Sequence, residues 1–200
     1  MKKILSILAL CFVFLFTTNA QTSCANAQPF CAGGTSGGTF PATVNGPAAE
    51  NGPNYGCLGT QPNPAWYFLQ ISQSGNLDIL IQGNANQDVD FICWGPFSTL
   101  AGCCNSLTAS NIVDCSYSSS PTETLNIVAA VAGQFYMVLI TNFSNVAQDI
   151  LFTQFAGNGA TNCGIVSTST MICAGSVASL SITNNSNLAN PTYSMNPGAV

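Results

Sequence analysis

Only two basic residues, Lys2 and Lys3, occur in this 200-residue chain, and the chain contains no histidine. Its seven acidic residues therefore have no cationic side-chain partner from Ile4 onward. Because salt bridges cannot form there, packing, backbone hydrogen bonds and disulfides must stabilise any fold. Disordered chains are poor in apolar residues, whereas 47% of this chain is apolar. The sequence predicts a folded protein with a substantial core.

The missing cations also argue against several classes of function. Nucleic-acid binding draws most of its affinity from Lys and Arg contacts with phosphates. Nucleophilic catalysis by Ser-His or Cys-His pairs requires a histidine. We therefore expect no nucleic-acid partner and no catalytic residues, and we interpret the chain as a non-enzyme.

The first 20 residues have the pattern of a secretory signal peptide. Lys2 and Lys3 precede an apolar run that ends at Phe16, and Ala20 fits the residue before a cleavage site. The run is shorter than the ~20 residues that a membrane span needs, and no later stretch is long and apolar enough. We predict cleavage after Ala20 and a secreted or cell-surface protein without a membrane span in the mature chain. The alternative is an uncleaved anchor.

Ten cysteines occur in the chain, and Cys11 would leave with the signal peptide. Export makes disulfides the default state of the others. We expect eight to form disulfides: Cys24, Cys31, Cys57, Cys93, Cys103, Cys104, Cys115 and Cys163. Spacing cannot fix the connectivity. The pairing that we favour is Cys24–Cys163, Cys31–Cys57, Cys93–Cys103 and Cys104–Cys115, with Cys173 left without a partner.

Alternating apolar residues and turn signals indicate an all-β protein. Residues 21–64 are rich in turn formers. Strands are predicted at 65–71, 77–81, 89–94, 122–130, 135–141 and 149–155, and the strand at 135–141 should be central because it is continuously apolar. This spacing favours an antiparallel β-sandwich or jelly roll, stapled by disulfides. We place a signal peptide at 1–20, the sandwich at 21–158 and a second, incomplete β module at 159–200, after a linker at 157–159.

Several short motifs resemble a known kind of domain. In chain order they are Trp66-Tyr-Phe, Ser74-Gly-Asn-Leu, Asp88-Val-Asp-Phe91, Cys93-Trp-Gly-Pro-Phe97, Asp114-Cys-Ser-Tyr117 and Gly133-Gln-Phe-Tyr136. The run, over about residues 24–163, resembles the N-terminal β-sandwich of large type IX-sorted surface proteins of gliding bacteria. It is distantly similar to the pre-peptidase C-terminal domain.

A second resemblance follows near the end of the sequence. Ile172-Cys-Ala-Gly-Ser176 and Tyr193-Ser-Met-Asn-Pro-Gly198 look like the first strands of an Ig-like or PKD-like repeat. Such repeats follow the N-terminal domain in those surface proteins. The resemblance implies that the chain is the N-terminal fragment of a larger multidomain protein or a truncated reading frame.

Four oxygen-bearing side chains form a candidate calcium site: Asn84, Asn86, Asp88 and Asp90. Calcium takes six to eight oxygen ligands, and loop carbonyls can complete such a set. Asp88 and Asp90 are two residues apart, so they should share one face of a strand. The alternative is a solvated turn. A glycosidase carboxylate pair is disfavoured, because two strand neighbours do not make a cleft.

Aromatic residues form a second candidate site. Trp66, Trp94 and Tyr117 could provide a stacking platform for a neutral glycan, which needs no charged partner. The alternative is that these rings fill the core. We therefore expect a non-catalytic display or adhesion module at the N-terminus of a larger surface protein. The second hypothesis is a glycan-binding accessory module of a secreted enzyme.

Overall fold

The computed structural model describes residues 21–31 and 38–162, which form ten β-strands and three short 3-10 helices. The strands are β1 Gln28–Pro29, β2 Gly38–Pro41, β3 Pro64–Gln73, β4 Gly75–Gly83, β5 Asp90–Phe97, β6 Ile112–Ser116, β7 Thr122–Ala130, β8 Phe135–Thr141, β9 Asp149–Ala156 and β10 Ala160–Thr161. The helices are Cys24–Asn26, Cys103–Ser106 and Ala109–Asn111. The predicted signal peptide, Cys163, Cys173 and the Ig-like motifs lie outside the described residues.

The strands form two sheets. The first sheet has the order β1-β3-β8-β5-β6, with β10 also paired to β3, and the second has the order β2-β9-β4-β7. Every strand pairing is antiparallel except that of β1 with β3. The predicted antiparallel all-β sandwich is confirmed, and all six predicted strands are present.

An inner core fills the space between the two sheets. Along β4, Leu77, Ile79 and Ile81 are buried, whereas the residues between them are partly exposed. The alternation predicted from the sequence therefore directs one face of this strand inward. Phe152 on β9 and Val138 on β8 belong to the same buried cluster.

An outer core covers the opposite face of the first sheet. It contains Trp66, Ile92, Trp94, Met137 and Leu139 from the sheet. Residues 21–27, 49–58 and 98–111, here called the loop layer, contribute the rest, including Cys24, Leu58, Cys103 and Leu107. The first sheet is thus buried on both sides, which explains why β8 is continuously apolar and central, as predicted.

Hydrogen bonds attach the loop layer to the sheet and to itself. The Trp94 indole N–H donates to the carbonyl oxygen of Asn54 at 3.1 Å. The Asn54 N–H donates to the Leu107 carbonyl oxygen at 2.8 Å, and the Cys24 N–H donates to Glu50 Oε1 at 2.7 Å. These bonds satisfy polar groups that would otherwise be orphaned over an apolar surface.

The disulfide pairing differs from the one we favoured. Cys24 bonds to Cys104, and Cys57 bonds to Cys115, so the loop layer is tied to itself and to β6. The Cys24–Cys163, Cys31–Cys57 and Cys104–Cys115 pairings are therefore wrong, although Cys31 is also disulfide-bonded. Spacing could not fix the connectivity, because the observed bonds join segments 80 and 58 residues apart that meet only in the fold.

The predicted Cys93–Cys103 bond is also wrong, since both are free thiols. Cys93 lies in the inner core and Cys103 in the outer core. Neighbouring residues of a strand point to opposite faces of a sheet. The first sheet therefore separates the two sulfur atoms.

The predicted linker at 157–159 belongs to the sandwich. Ala160 pairs with Gln73 and Thr161 pairs with Ile71 on β3, so the first sheet extends past the predicted boundary at 158. The Asn158 side-chain oxygen accepts a hydrogen bond from the Asn76 N–H at 3.0 Å. The turn-forming residues of this segment suggested a linker. Its contacts with the β3–β4 turn join parts of the chain that are far apart in sequence, so they could not be predicted from it.

Candidate functional site

The four predicted calcium ligands lie in two different places, with the two asparagines in the β4–β5 turn and the two aspartates near the start of β5. Asn84 is engaged with Asp149, whose N–H donates to Asn84 Oδ1 at 2.9 Å. Asn86 is exposed in the β4–β5 turn with a φ of 54°. Both asparagines therefore act as turn residues here, and their part in the predicted ligand set is not supported. Asp88 and Asp90 lie farther along, where β5 begins.

Asp88 and Asp90 are held between two other segments at this end of the sandwich. The Val89 N–H donates to the Ser120 carbonyl oxygen at 3.3 Å. The Asp88 N–H donates to Ser144 Oγ at 3.0 Å. Val89, between the two aspartates, is fully buried in the inner core, and the charge of Asp88 acts on the Asp90 carboxyl group, so the two carboxylates are near each other.

The carboxylate of Asp90 is buried without a hydrogen-bond partner. Asp90 is only 1% exposed, and neither of its carboxylate oxygens, Oδ1 or Oδ2, accepts a hydrogen bond. Oδ1 of Asp88 is buried and unpartnered as well. An unpaired buried carboxylate is costly, and such groups are normally paired or coordinate a metal. The Asp88–Asp90 pair is therefore the leading candidate for a functional site.

Two further residues at this position were missed by the sequence analysis. Thr141 on β8 lies directly opposite Asp90, is fully buried and has an unpartnered Oγ1. Glu123 at the start of β7 is 8% exposed and accepts a hydrogen bond from Ser118 Oγ. Neither could be assigned from sequence spacing, because β8 and β7 reach β5 only through strand pairing and sandwich packing.

Burial is the largest cause of the raised pKa values of Asp88 and Asp90. Burial, followed by the negative charges of Asp88 and Glu123, raises the pKa of Asp90 to about 7. The Ser118 backbone N–H lowers this pKa in part, although it does not reach hydrogen-bond geometry with Asp90. Burial, followed by the charge of Glu123, also raises the pKa of Asp88. Burial and the neighbouring negative charges both disfavour the charged carboxylates when no cation is nearby.

Carboxylates alone do not complete a metal-binding set at this position. Within residues 21–31 and 38–162, no group of three or more His, Cys, Asp or Glu side chains is arranged to hold a metal ion. Any cation at Asp88 and Asp90 would therefore depend on neutral oxygens for its remaining ligands, as calcium commonly does.

The predicted aromatic platform is not exposed. Trp66 and Trp94 are both fully buried in the outer core and stack on each other. Tyr117 is 42% exposed, but its ring makes an edge contact with Phe143, with centroids 5.5 Å apart. The glycan platform of Trp66, Trp94 and Tyr117 is therefore wrong, because the loop layer covers the tryptophans that would stack on a sugar.

Comparisons with known proteins leave the family open. No protein-family model matches the chain, and a search of curated proteins finds no significant match. In the part of the chain that the structure describes, no helix has the length and apolar character needed to cross a membrane.

Proposed function

We propose that this chain is a non-catalytic display or adhesion module of a secreted or cell-surface protein. The observation that carries the proposal is a disulfide-bonded β-sandwich built from a sequence with no Lys, Arg or His after Lys3. Disulfides persist in oxidising, extracytoplasmic environments. A fold stabilised by packing and disulfides rather than by ion pairs suits exposure outside the cell.

The surface chemistry supports a binding role that does not depend on basic side chains. The second sheet turns its outer face to solvent, and that face carries Thr39, Asn126 and Thr153 beside exposed Val128 and Phe155. Val128 is 73% exposed and Phe155 is 59% exposed. Neutral polar and apolar groups together can contact surfaces or other proteins by packing and hydrogen bonding.

The resemblance to the N-terminal domains of type IX-sorted surface proteins of gliding bacteria supports the same proposal. Its motifs fall on structural positions: Trp66 and Trp94 in the outer core, and Asp90 and Phe91 at the start of β5. Most of the resemblance therefore concerns residues that build the fold. The glycan-binding alternative has lost the two tryptophans on which it depended.

Immunolabelling and attachment assays on the source cells test this proposal. Antibodies against the folded domain should label intact, unpermeabilised cells or the culture medium, and deletion of the gene should weaken attachment to surfaces. Re-expression of the wild-type chain should restore attachment. Confinement of the protein to the cytoplasm, or attachment unchanged by the deletion, would contradict the proposal.

A further inference from the structure

The Asp88–Asp90 end of the sandwich combines three unsatisfied oxygen groups. Asp90 and Thr141 are paired across β5 and β8, so their side chains lie on the same face of the first sheet. Both residues are at least nine-tenths buried, and the two carboxylate oxygens of Asp90 and Oγ1 of Thr141 have no partner. Oδ1 of Asp88 is a third buried, unpartnered group, and the Asp88 carboxylate is near enough for its charge to act on Asp90.

No side chain within residues 21–31 and 38–162 can neutralise these carboxylates. The sequence has no basic side chain after Lys3, so a salt bridge cannot form here, and Glu123 adds a further negative charge nearby. A charged carboxylate that is buried without a counter-charge destabilises the folded state far more than an exposed one, because the charge has been removed from water. A cation from solution is the only charged group that can offset the repulsion while leaving the carboxylates ionised.

We propose that Asp88, Asp90 and the hydroxyl of Thr141 bind a calcium ion, with Glu123 as a nearby negative charge that strengthens the attraction. Calcium accepts carboxylates, hydroxyl and carbonyl oxygens, and water in a flexible arrangement of six to eight ligands. This preference fits a site with two carboxylates and the Thr141 hydroxyl, at which water or carbonyl oxygens would complete the ligand set. Magnesium demands a more regular octahedron and keeps its waters, which suits this site less well.

The position of the site indicates what calcium would do. The Asp88–Asp90 segment is bonded to Ser120 in the β6–β7 connection and to Ser144 in the β8–β9 turn. The β6–β7 connection passes from the first sheet to the second. Bound calcium would therefore hold together three segments at one end of the sandwich and stabilise the whole domain.

Calorimetric titration of the oxidised, chelator-treated protein with calcium chloride tests this inference, together with thermal melting in calcium and in chelator. We expect one calcium ion to bind and the Tm to rise. Asp90→Asn should abolish binding, while its Tm in chelator should equal or exceed that of the wild type, because a buried charge has been removed. Thr141→Val keeps the side-chain shape and should weaken binding by at least about tenfold.

Two control variants separate this site from general attraction of calcium to an acidic protein. Asp78→Asn removes a charge from β4, and Asp149→Asn removes a charge beside Asn84 while keeping the backbone N–H that donates to Asn84 Oδ1. Both should bind calcium like the wild type. Equal melting of the wild-type protein in calcium and in chelator would overturn the inference. Binding that survives Asp90→Asn, or that is lost in Asp149→Asn, would also overturn it.

Discussion

Trp66 and Trp94 stack with their ring centroids 5.5 Å apart and their planes inclined by 14°, and neither side chain is exposed. They extend from β3 and β5 and meet over β8, which lies between these strands in the first sheet. Tyr55 from the loop layer packs against both rings, with its ring centroid 6.4 Å from that of Trp66 and 6.1 Å from that of Trp94. The pair is therefore the centre of the outer core.

Trp94→Ala should destabilise the domain strongly. The change removes a fully buried ring and the hydrogen bond from its indole N–H to Asn54, and core Trp→Ala changes cost about 3–5 kcal/mol. Urea denaturation followed by far-UV circular dichroism measures the free energy of unfolding. Val128→Ala, at an exposed position, should change it by less than about 0.5 kcal/mol. Similar free energies of unfolding for both variants would show that the outer core contributes little to stability.

The elements that could be predicted from the sequence are those with local patterns. Leu77, Ile79 and Ile81 recur at every second position, and Phe135–Thr141 is almost continuously apolar, so both strands were identified. The same reasoning placed Asp88 and Asp90 on one side of the chain. Periodicity of two residues is a property of the strand itself and needs no knowledge of its neighbours.

Features that depend on distant segments could not be predicted. Strand β1 has two residues and exists because Gln28 and Pro29 lie beside β3. Strand β6 lies within a Ser- and Cys-rich segment that carries little alternation. The outer core was missed because the loop layer that covers Trp66 and Trp94 has no regular pattern. Thr141 joins the candidate site only through the pairing of β8 with β5.

Removal of the Cys57–Cys115 bond should also destabilise the domain. The bond links the loop layer to β6 across 58 residues, and loss of a native disulfide usually costs about 2–5 kcal/mol. The double variant Cys57→Ser with Cys115→Ser should show this loss in urea denaturation. Cys103→Ser is the control, because a serine hydroxyl can keep the hydrogen bond to the Thr99 carbonyl oxygen. A double variant no less stable than this control would contradict the role of the disulfide.

Cys93 should be unreactive in the native protein. Burial raises the pKa of its thiol well above the ordinary value, and the charge of Asp114 adds to this effect. The thiolate is the reactive form, so both burial and protonation protect this residue. Alkylation without reductant, followed by mass spectrometry of peptides, should label Cys93 and Cys103 only after denaturation. Rapid labelling of Cys93 in the folded protein would be inconsistent with its place in the inner core.

Gly157→Ala should destabilise the domain more than Gly133→Ala. Both glycines have positive φ values, 95° and 90°, so the backbone strain of an alanine is similar. A Cβ at Gly157 would lie 2.1 Å from the Asn76 carbonyl oxygen, whereas one at Gly133 would meet nothing within 4 Å. Thermal melting of the two variants compares them directly. Equal losses would mean that residues 157–159 are a free linker, as the sequence suggested.

The loop layer and its disulfides turn the outward face of the first sheet into a second core. Acrylamide quenching of tryptophan fluorescence tests this claim most directly, because the chain has only two tryptophans and both lie in that core. The oxidised protein should show weak quenching that neutral oligosaccharides leave unchanged, and reduction of the disulfides should increase it. Strong quenching of the native, oxidised protein, or protection on adding an oligosaccharide, would show that this face is open and would contradict the account.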